Sequence, residues 1–474
     1  MTSIDPNEQP TWRAVFSGRL LLPTLVINWG ILLFAIDTFI ITTIMPSVIQ
    51  DIGGTSLYAW PVMIFTVGAI VGSASAGPIR IKYGQRDGFV LAGLLFLFGN
   101  LGAAFASTIE ILIAWRLLQG LGGGLIISQS FGVVGSIYPP GLRTRIFSVI
   151  STTWGLATVF GPAFGGVFAE LGSWRSAFWA LVPLTLIFCI LVWRFIENQG
   201  KGEGVQRFPV TRLILFSAGI LTIGFTSQTD ESINRVLLIL IAICLVAWAM
   251  RRDALSVNRM FPRKTLIPTS AIGSSYWYNL FFTCMFIFAL IYSTLYLQIL
   301  HSKSPIVAAY ISANLSFCWT AAALICASWS GVMIRVAVVG GGLLMVAGSI
   351  GLYLFALEGP VSFIILSFGL MGLGIGFSNI HVMALTIECA EHGDDALVAS
   401  SIQTIRNMGL AFGSAFAGLL ANSAGLKEEA SPVVILRAIE LIHIGAIVLS
   451  ILTLMSLIIF IGYHGKENRF TRNQ

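Results

Sequence analysis

Apolar residues in this chain form runs of about 20 residues that recur from end to end, separated by short polar segments. A run of that length spans the hydrocarbon core of a bilayer as one helix. The runs predict fourteen membrane-spanning helices, at residues 20–46, 58–78, 87–107, 110–136, 145–169, 174–196, 210–229, 233–252, 270–299, 304–329, 334–357, 360–387, 395–421 and 432–463. The pattern therefore indicates an all-α polytopic membrane protein.

Composition supports this interpretation and excludes a sizeable soluble domain. Of 474 residues, 56% are hydrophobic and 10% are charged, whereas soluble domains carry about 25% charged residues. Mean hydropathy is +0.88. The six cysteines include no C-x-x-C pair and lie in or at the ends of apolar runs. We therefore expect small core residues there, and neither a disulfide framework nor a metal site.

Positive charge is distributed unequally between the two faces of the predicted bundle. Of 27 lysine and arginine residues, 20 fall on loops and tails at the face that carries both termini. The five on the other face are Arg175, Arg235, Lys303, Lys427 and Arg437. Because cytoplasmic loops are enriched in lysine and arginine, both termini are predicted to be cytoplasmic. The same bias accounts for the net charge of +6, so the charge gives no reason to expect a nucleic-acid partner.

Connection lengths divide the chain into blocks. The longest connections, 197–209 and 253–269, enclose two short predicted helices that look inserted between two blocks of six. The predicted divisions are a cytoplasmic N-terminal tail 1–19, a six-helix bundle 20–196, a linker with two inserted helices 197–269, a second six-helix bundle 270–463 and a cytoplasmic C-terminal tail 464–474. The fifth helix of each bundle is rich in glycine, which fits two halves related by an axis along the membrane normal.

The first helix carries an acid within apolar sequence, Asp37 in "FAIDTFIITTIMP" (Phe34–Pro46). A carboxylate in lipid costs at least a few kcal/mol, so an acid at such a depth needs a reason. Counted from Pro46 at the outer edge, Asp37 lies about 13 Å deep, and Arg116, counted from Glu110, lies about 9 Å deep. Burial favours proton binding by a carboxylate, and a nearby cation opposes it. We therefore expect Asp37 to carry a proton and Arg116 to tune the affinity of Asp37 for that proton.

Both residues also have structural interpretations. The hydroxyl of Thr38 or Thr42 would cap Asp37 and stabilise a bend in the helix. Arg116 would bind backbone carbonyls near a helix end. Function is favoured for Asp37 because acids rarely lie in lipid without one.

The last helix contains a second charged cluster, "LRAIELIH", in which Arg437, Glu440 and His443 are spaced three apart on one face. The simpler interpretation is an Arg437–Glu440 ion pair near the interface beside a satisfied core histidine. The alternative makes Glu440 a second protonatable site. That site would permit export of divalent cations, or more than one proton per cycle.

The loop between the second and third helices reads "GPIRIKYGQRDG" (Gly77–Gly88). It resembles the facilitator loop motif G-x-x-x-D-R-x-G-R-R, and it keeps Gly77, Lys82, Gly84 and Arg86. Ile81 stands where the motif has its aspartate, with Asp87 nearby. A basic turn that anchors the chain at the interface is the alternative interpretation.

Two further motifs are rich in glycine. "RLLQGLGGG" (Arg116–Gly124) in the fourth helix resembles R-x-x-Q-G-x-G. "GPAFGG" in the fifth helix resembles the antiporter motif G-P-x-x-G-G, with Gly161, Pro162, Gly165 and Gly166. Glycines let helix backbones approach closely, and a proline weakens a helix locally. Packing alone would explain the glycines, but it does not explain their fixed order around a proline.

More segments resemble the same transporters. Ile36–Trp60 is similar to their first-helix signature and the entry to the second helix, Trp174–Pro183 to W-R-x-x-F-x-x-N-x-P, and Ser401–Gly418 to their thirteenth helix. With fourteen predicted spans, the chain resembles the fourteen-helix drug:proton antiporters (EmrB/QacA-like) of the major facilitator superfamily over essentially its whole length.

This resemblance implies the major facilitator fold, with a substrate cavity between two halves that rock to alternate access. The loop motif and the glycine–proline motif are then expected to act in the conformational change between the two access states. The family's loop aspartate is thought to help latch the outward-facing closure, so with Ile81 the latch is weaker, or Asp87 substitutes for it. Residues expected to line the cavity are Arg406, Asn314, Tyr292 and Asn379. The resemblance places an arginine at Arg406, with a role in gating or in binding an anionic substrate, whereas Asn314, Tyr292 and Asn379 each also fit packing or an aromatic belt.

The predicted function is proton-coupled efflux, by antiport, of organic compounds such as lipophilic or cationic drugs. The alternative is a dedicated exporter of an endogenous metabolite such as a siderophore, since Arg406 leaves room for an anionic cargo. A membrane enzyme is not expected, because the sequence has no H-E-x-x-H or similar catalytic cluster. ATP drive is not expected either, because a phosphate-binding Gly-x-x-x-x-Gly-Lys-Ser/Thr loop is absent.

The proton gradient is therefore the expected energy source, with no cofactor. One charge that crosses 100 mV supplies about 2.3 kcal/mol. Expected partners are the lipid bilayer, protons and a small-molecule substrate, with an envelope adaptor protein if the cell is Gram-negative. We expect a multi-pass monomer in the bacterial cytoplasmic (inner) membrane.

Overall fold

The computed structural model describes residues 15–138, 140–199, 201, 209–229, 231–256, 259–327, 329–389, 395–426 and 431–471. Their long elements are α1 (Leu21–Ile52), α2 (Trp60–Tyr83), α3 (Gln85–Ala104), α4 (Ile109–Ile137), α5 (Pro140–Glu170), α6 (Trp174–Phe195), α7 (Val210–Thr226), α8 (Ser232–Ala254), α9 (Ala271–Leu290), α10 (Ser293–Ile299), α11 (Pro305–Cys326), α12 (Val332–Phe355), α13 (Val361–Glu388), α14 (Asp395–Ser423) and α15 (Pro432–Thr471). The prediction of an all-α fold is confirmed.

Two predicted helices differ from the structure in an informative way. The helix predicted to end at Pro46 continues to Ile52, with Pro46 inside it, because neighbouring helices in a membrane bundle tolerate a proline. Asp37 therefore lies about 22 Å along the axis from the end of α1, farther than the distance to Pro46 used in the sequence estimate. The helix predicted over 270–299 is interrupted between α9 and α10, where Tyr292 leaves helical geometry at φ −109° and ψ 3°.

Eleven of the described helical segments are long and apolar enough to cross a membrane. They are α1 to α4, α6, α8, the α9–α10 pair, α11 to α13 and α15. Helix α7 is apolar but shorter, and α5 and α14 are not among the eleven. The chain is thus a multi-pass membrane protein, while the count of fourteen spans stays a prediction.

Corresponding helices pack alike in two halves, α1–α6 and α9–α15. In the first half, α4 packs against α2 and α3, and α1 packs against α5. In the second half, α13 packs in the same way against α11 and α12, and α9 packs against α14. The halves meet where α5 contacts α11 and where α2 contacts α14. We call the end of the bundle at which α1 begins the terminal end, and the opposite end the distal end.

Helices α2 and α4 approach so closely that their glycines have no room for a side chain. A Cβ atom on Gly120 would lie 2.1 Å from the carbonyl oxygen of Phe65, and one on Gly124 would lie 2.1 Å from that of Ala69. From the other side, a Cβ on Gly72 would lie 2.2 Å from the Leu121 oxygen. Small residues at such contacts are how membrane helices gain packing energy. This contact presses the start of α4, which carries Arg116, against α2.

The inserted pair, α7 and α8, covers the side of the molecule on which α2 meets α14. Helix α7 packs against both of these helices. At the terminal end, Arg212 forms a buried ion pair with Asp253, whose carboxylate also accepts the backbone N–H groups of Met260 (2.8 Å) and Phe261 (3.0 Å). The ion pair joins α7 to α8, and the backbone contacts fix the chain that leads toward α9.

We expect Gly120→Ala to destabilise the protein. The added methyl group has to push a backbone carbonyl of α2 away, and overpacking of this kind costs about 1–3 kcal/mol. Thermal unfolding of the purified protein in detergent, followed by tryptophan fluorescence, measures the effect.

Gly340→Ala in α12 is the matched control, because nothing lies within 4 Å of the Cβ it would add. Alanine has the higher helix propensity, so this variant should unfold at or slightly above the wild-type temperature. Equal melting temperatures for the two variants would contradict the close α2–α4 packing.

Candidate functional site

The two charged residues predicted in the first bundle are in direct contact. Arg116 Nη1 donates hydrogen bonds to both carboxylate oxygens of Asp37, at 3.0 Å to Oδ1 and 2.8 Å to Oδ2. Both side chains are completely buried. Of the four ion pairs among the described residues, this one is the most deeply enclosed. It ties the middle of α1 to the start of α4.

Two amides that the sequence analysis missed complete the network. Gln119 Nε2 donates to Asp37 Oδ1 at 2.7 Å and to Asn100 Oδ1 at 2.9 Å, while Gln119 Oε1 accepts from Arg116 Nη1 at 2.6 Å. Gln119 and Asn100 are also fully buried. The signal for Gln119 was its position three residues after Arg116, on the same face of the helix. Asn100 comes from α3 and gave no signal beyond a lone amide in an apolar run.

Helix α2 completes the surroundings of the guanidinium group. The guanidinium carbon of Arg116 lies 4.1 Å from the centre of the Phe65 ring, and Arg116 Nε donates to the Pro61 carbonyl at 3.4 Å. A cation over an aromatic face is stabilised most strongly where water is absent. Four helices, α1 to α4, therefore contribute to this buried charged network.

The capping alternative for Asp37 is wrong. Thr38 Oγ1 donates to the Phe34 carbonyl and Thr42 Oγ1 to the Phe39 carbonyl, each at 3.0 Å. Both hydroxyls thus bond the backbone of their own helix, and the partners of Asp37 come from α4 instead.

The glycines of the glycine–proline motif let α5 pack closely against α1 of its own half and against α11 of the other half. A Cβ on Gly161 would lie 2.5 Å from the Phe39 Cβ, and one on Gly165 would lie 2.9 Å from the Thr43 Cβ, both on α1. Gly166 faces the other way, and a Cβ there would lie 2.6 Å from the Cα of Ile306 on α11. Pro162 lies between them and lines a small cavity at this junction, with Phe39, Thr42, Thr43, Leu290, Ser293, Thr294, Ala309, Ser312 and Ala313.

Contacts at the distal end hold the halves together. Tyr58 stacks on Tyr292 with 4.7 Å between ring centres. Between described residues, four hydrogen bonds cross here from one half to the other: Thr294 Oγ1 to the Thr42 carbonyl (2.6 Å), Asn422 Nδ2 to the Ser56 carbonyl (2.7 Å), Tyr310 Oη to the Val159 carbonyl (3.0 Å), and the Ile306 N–H to Glu170 Oε1 (3.3 Å). Tyr292, predicted to line the cavity, is thus buried in this distal contact.

The loop motif docks within its own half. Gly84 has a positive φ of 92°, and a Cβ there would lie 2.1 Å from Asn198 Oδ1. Asp87 accepts from Arg86 Nε and from Asn198 Nδ2, each at 2.9 Å. Asp87 is therefore engaged by the segment after α6. Lys82 lies over the neighbouring Tyr83 ring, Ile81 is half-buried, and Gly77 lies inside α2.

The W-R motif, Trp174 and Arg175, joins the ends of three helices, a role that the sequence did not predict. Asp51, at the end of α1, accepts from Trp174 Nε1 at 3.0 Å and from Arg175 Nη1 at 2.5 Å. Arg175 also donates to the Ala106 carbonyl at 2.9 Å. These bonds join the ends of α1, α3 and α6 on the distal surface.

In the second half, Arg406 is held by neutral partners. Its Nε donates to Asn279 Oδ1 at 2.8 Å and its Nη2 donates to Asn379 Oδ1, while the guanidinium carbon lies 5.4 Å from the Phe282 ring centre. Two predicted cavity residues, Arg406 and Asn379, are thus in contact. Asn314 lies elsewhere and donates to the Ile365 carbonyl.

The cluster in the last helix does not form the predicted ion pair. Glu440 and Arg437 are both exposed on the surface of α15, and they are not among the ion pairs of the described residues. His443 is buried, with Nδ1 2.8 Å from the Ile439 carbonyl and its ring against that of Tyr296. A role for Glu440 as a second proton site stays a prediction.

Comparison with known proteins identifies the class of protein. The sequence profile described as "Major Facilitator Superfamily" matches residues 27–414, and the chain belongs to this family. The chain is therefore a multi-pass transporter of small molecules and not an enzyme, as predicted.

Particular relatives agree with this assignment. The chain is 29% identical over 442 residues to a Mycobacterium tuberculosis (strain H37Rv) protein named "Probable multidrug-efflux transporter", and the match covers 90% of this chain and 92% of that protein. Among solved structures, a peptide transporter POT in complex with sulfate is similar at a TM-score of 0.67 and 13% identity, covering 91% of this chain and 94% of that one. A D-xylose-proton symporter is similar at a TM-score of 0.63 and 15% identity, covering 92% and 97%. These structures share the fold.

We expect Asp37→Leu alone to lower the free energy of unfolding by about 3–5 kcal/mol, because it leaves Arg116 buried without its counter-charge. The double variant Asp37→Leu/Arg116→Met should recover most of that loss, since no unpaired charge then remains in the network. Thermal unfolding of the single variants, the double variant and the wild type gives the coupling energy. Additive losses in the double variant would contradict a direct, desolvated ion pair.

Proposed function

We propose that the protein is a proton-coupled antiporter that exports organic compounds across the bacterial cytoplasmic membrane by alternating access. The observation that carries this proposal is the Asp37–Arg116 pair, completely buried with Gln119 and Asn100 in the first half of a major facilitator. A charged network in the membrane interior is costly and marks proton relays and substrate pathways.

The network links protonation to helix packing. Asp37 and Arg116 carry opposite charges, so the pair has no net charge. A proton on Asp37 would leave Arg116 as an uncompensated cation between α1, α2 and α4, which is unfavourable in a dry site. Protonation and the packing of α4 on α1 therefore depend on each other. In the proposed cycle Asp37 takes a proton in the form open to the outside and releases it in the form open to the cytoplasm.

The positive-inside bias supports a cytoplasmic terminal end, with both termini there and fourteen spans in total. On that orientation the contact of Tyr58 with Tyr292 closes the molecule toward the outside. The glycine–proline motif lies at the same junction of the halves, where Gly166 meets Ile306. Rocking of the halves would open this contact, and the cavity beside Pro162 would then be reached from the outside.

The substrates we propose are lipophilic or cationic drugs, in keeping with the name of the mycobacterial relative. The proton gradient supplies the energy, with no bound cofactor, and we propose a monomer that works with an envelope adaptor only if the cell is Gram-negative. A second candidate is export of an endogenous metabolite such as a siderophore. The observation that favours it is Arg406, a cation whose hydrogen-bond partners are two neutral amides. Biosynthetic genes beside the transporter gene would favour the metabolite.

We expect wild-type protein in inverted membrane vesicles to transport ethidium when a pH gradient is imposed, and Asp37→Asn to lose that dependence, with a decrease of at least about tenfold. Asparagine keeps the size and one acceptor of the side chain but cannot exchange a proton. Fluorescence of ethidium, recorded with and without the gradient, measures the transport.

Glu440→Gln is the companion variant. If Glu440 is a second proton site, this variant lowers gradient-driven transport, and wild-type rates would remove it from the coupling scheme. Tryptophan fluorescence titration with ethidium checks that the Asp37→Asn protein still binds substrate. Full gradient-driven transport by Asp37→Asn would refute Asp37 as the proton carrier. Absence of wild-type transport of any cation tried would favour the metabolite exporter.

A further inference from the structure

The two halves of this transporter use the same helix packing but differ in their charge balance. In the first half, Arg116 is neutralised by Asp37. In the second half, Arg406 forms no ion pair with any of the described residues. A cation at mid-helix depth, far from both ends of α14, is costly in a membrane unless something compensates it.

The polar partners of Arg406 hold it in place without neutralising it. Asn279 on α9 accepts from Nε, and Asn379 on α13 accepts from Nη2. A guanidinium group has five N–H donors, and these two bonds use one edge of the fork. Among the described residues, nothing accepts a hydrogen bond from the third nitrogen, Nη1. The two bonds fix the orientation of the group, and the residue as a whole is half-buried, so that part of it remains exposed.

A cluster of aromatic rings adjoins this charge through Phe282. The Phe282 ring lies beneath the guanidinium group. Trp319 on α11 meets both Phe282 (6.1 Å between ring centres) and Phe286 (5.9 Å), in each case edge to face. Trp319 is half-buried, so part of the indole remains available to a ligand.

The first half contributes a second aromatic cluster, on α1 and α5. Trp154 on α5 lies edge to face against Phe34, with 6.1 Å between ring centres, and it is 37% exposed. Gly155, the next residue, faces Thr320, which follows Trp319, and a Cβ on Gly155 would lie 3.5 Å from the Thr320 methyl. The two aromatic clusters therefore include residues of α5 and α11, which meet at one junction of the halves.

We propose that Arg406 binds the carboxylate of an aromatic substrate, whose ring packs against Phe282 and Trp319. Arginine suits this ligand because its planar fork matches the two oxygens of a carboxylate. The bound anion would supply the counter-charge that Arg406 does not find among the described residues. The compounds that this site would prefer are amphipathic aromatic acids or zwitterions, which agree with the second candidate function, export of a metabolite, better than with export of cationic drugs. This inference rests on the proposed export function and specifies which compounds the site prefers.

The preference for an acid over an uncharged isostere tests this assignment. The probes are 2-naphthoate and its neutral analogue 2-naphthamide, measured by equilibrium dialysis against the full-length protein in nanodiscs of zwitterionic lipid only, so that no anionic headgroup competes. We expect the wild type to bind 2-naphthoate at least about tenfold more tightly than 2-naphthamide, and Arg406→Gln to bind the two equally, since a lost charged hydrogen bond is worth that much.

Two further variants separate recognition from folding. Arg335→Gln removes an exposed arginine from α12 and should keep the wild-type preference. Arg406→Lys keeps the charge without the planar fork and should weaken 2-naphthoate binding while leaving 2-naphthamide binding unchanged. Equal binding of both probes by the wild type would overturn the proposal. So would a preference for the acid that persists in Arg406→Gln.

The same preparations distinguish this inference from the proposed function. Gradient-driven ethidium transport without any preference for the acid would refute the Arg406 site and leave proton-coupled export intact. A clear Arg406-dependent preference for the acid, with no gradient-driven transport of ethidium or of 2-naphthoate, would support the binding site and refute the proton coupling.

Discussion

Compensation of charge inside the membrane is the constraint on which this structure depends. Asp37 and Arg116 are tolerated only as a pair, because each alone would be a buried, unsolvated ion. The pair brings α1 against α4, Gln119 extends it to Asn100 on α3, and the Phe65 ring of α2 covers the cation. The helices of the first half therefore pack around one ion pair that has no net charge.

Glycine makes that arrangement possible. Arg116 lies one turn before Gly120, where α4 comes into backbone contact with α2 through Gly120 and Gly124. A second set of glycines, around Pro162, lets α5 lie against α1 on one side and α11 on the other. The first set packs helices within a half, and the second packs helices between halves. We therefore expect substitutions in the first set to lower stability and, under the proposed alternating access, substitutions in the second set to affect opening of the distal end.

The two halves illustrate how one scaffold hosts different chemistry. Corresponding helices pack in the same order, yet Arg116 of the first half pairs with the acid Asp37 on α1, whereas Arg406 of the second half bonds the neutral Asn279 on α9. The first half is thus self-compensated, and the second half presents a cation toward aromatic side chains. The inserted pair α7–α8 adds a further difference, because it covers the α2–α14 side alone. A proton site in one half and a substrate site in the other follow from this asymmetry as proposals.

The sequence by itself determined the membrane class, the long helices and the family, because a length of apolar residues and the order of glycines around Pro162 are local properties of the chain. It also singled out Asp37 and Arg116, since a charge in an apolar run is visible without any partner. Only the tertiary structure decided that these two touch, that Gln119 and Asn100 join them, that Tyr292 leaves helical geometry and stacks on Tyr58, and that Glu440 faces outward. Such contacts depend on the rotation and tilt of each helix about its neighbours. Those quantities are set by packing against other helices and not by the composition of any one of them.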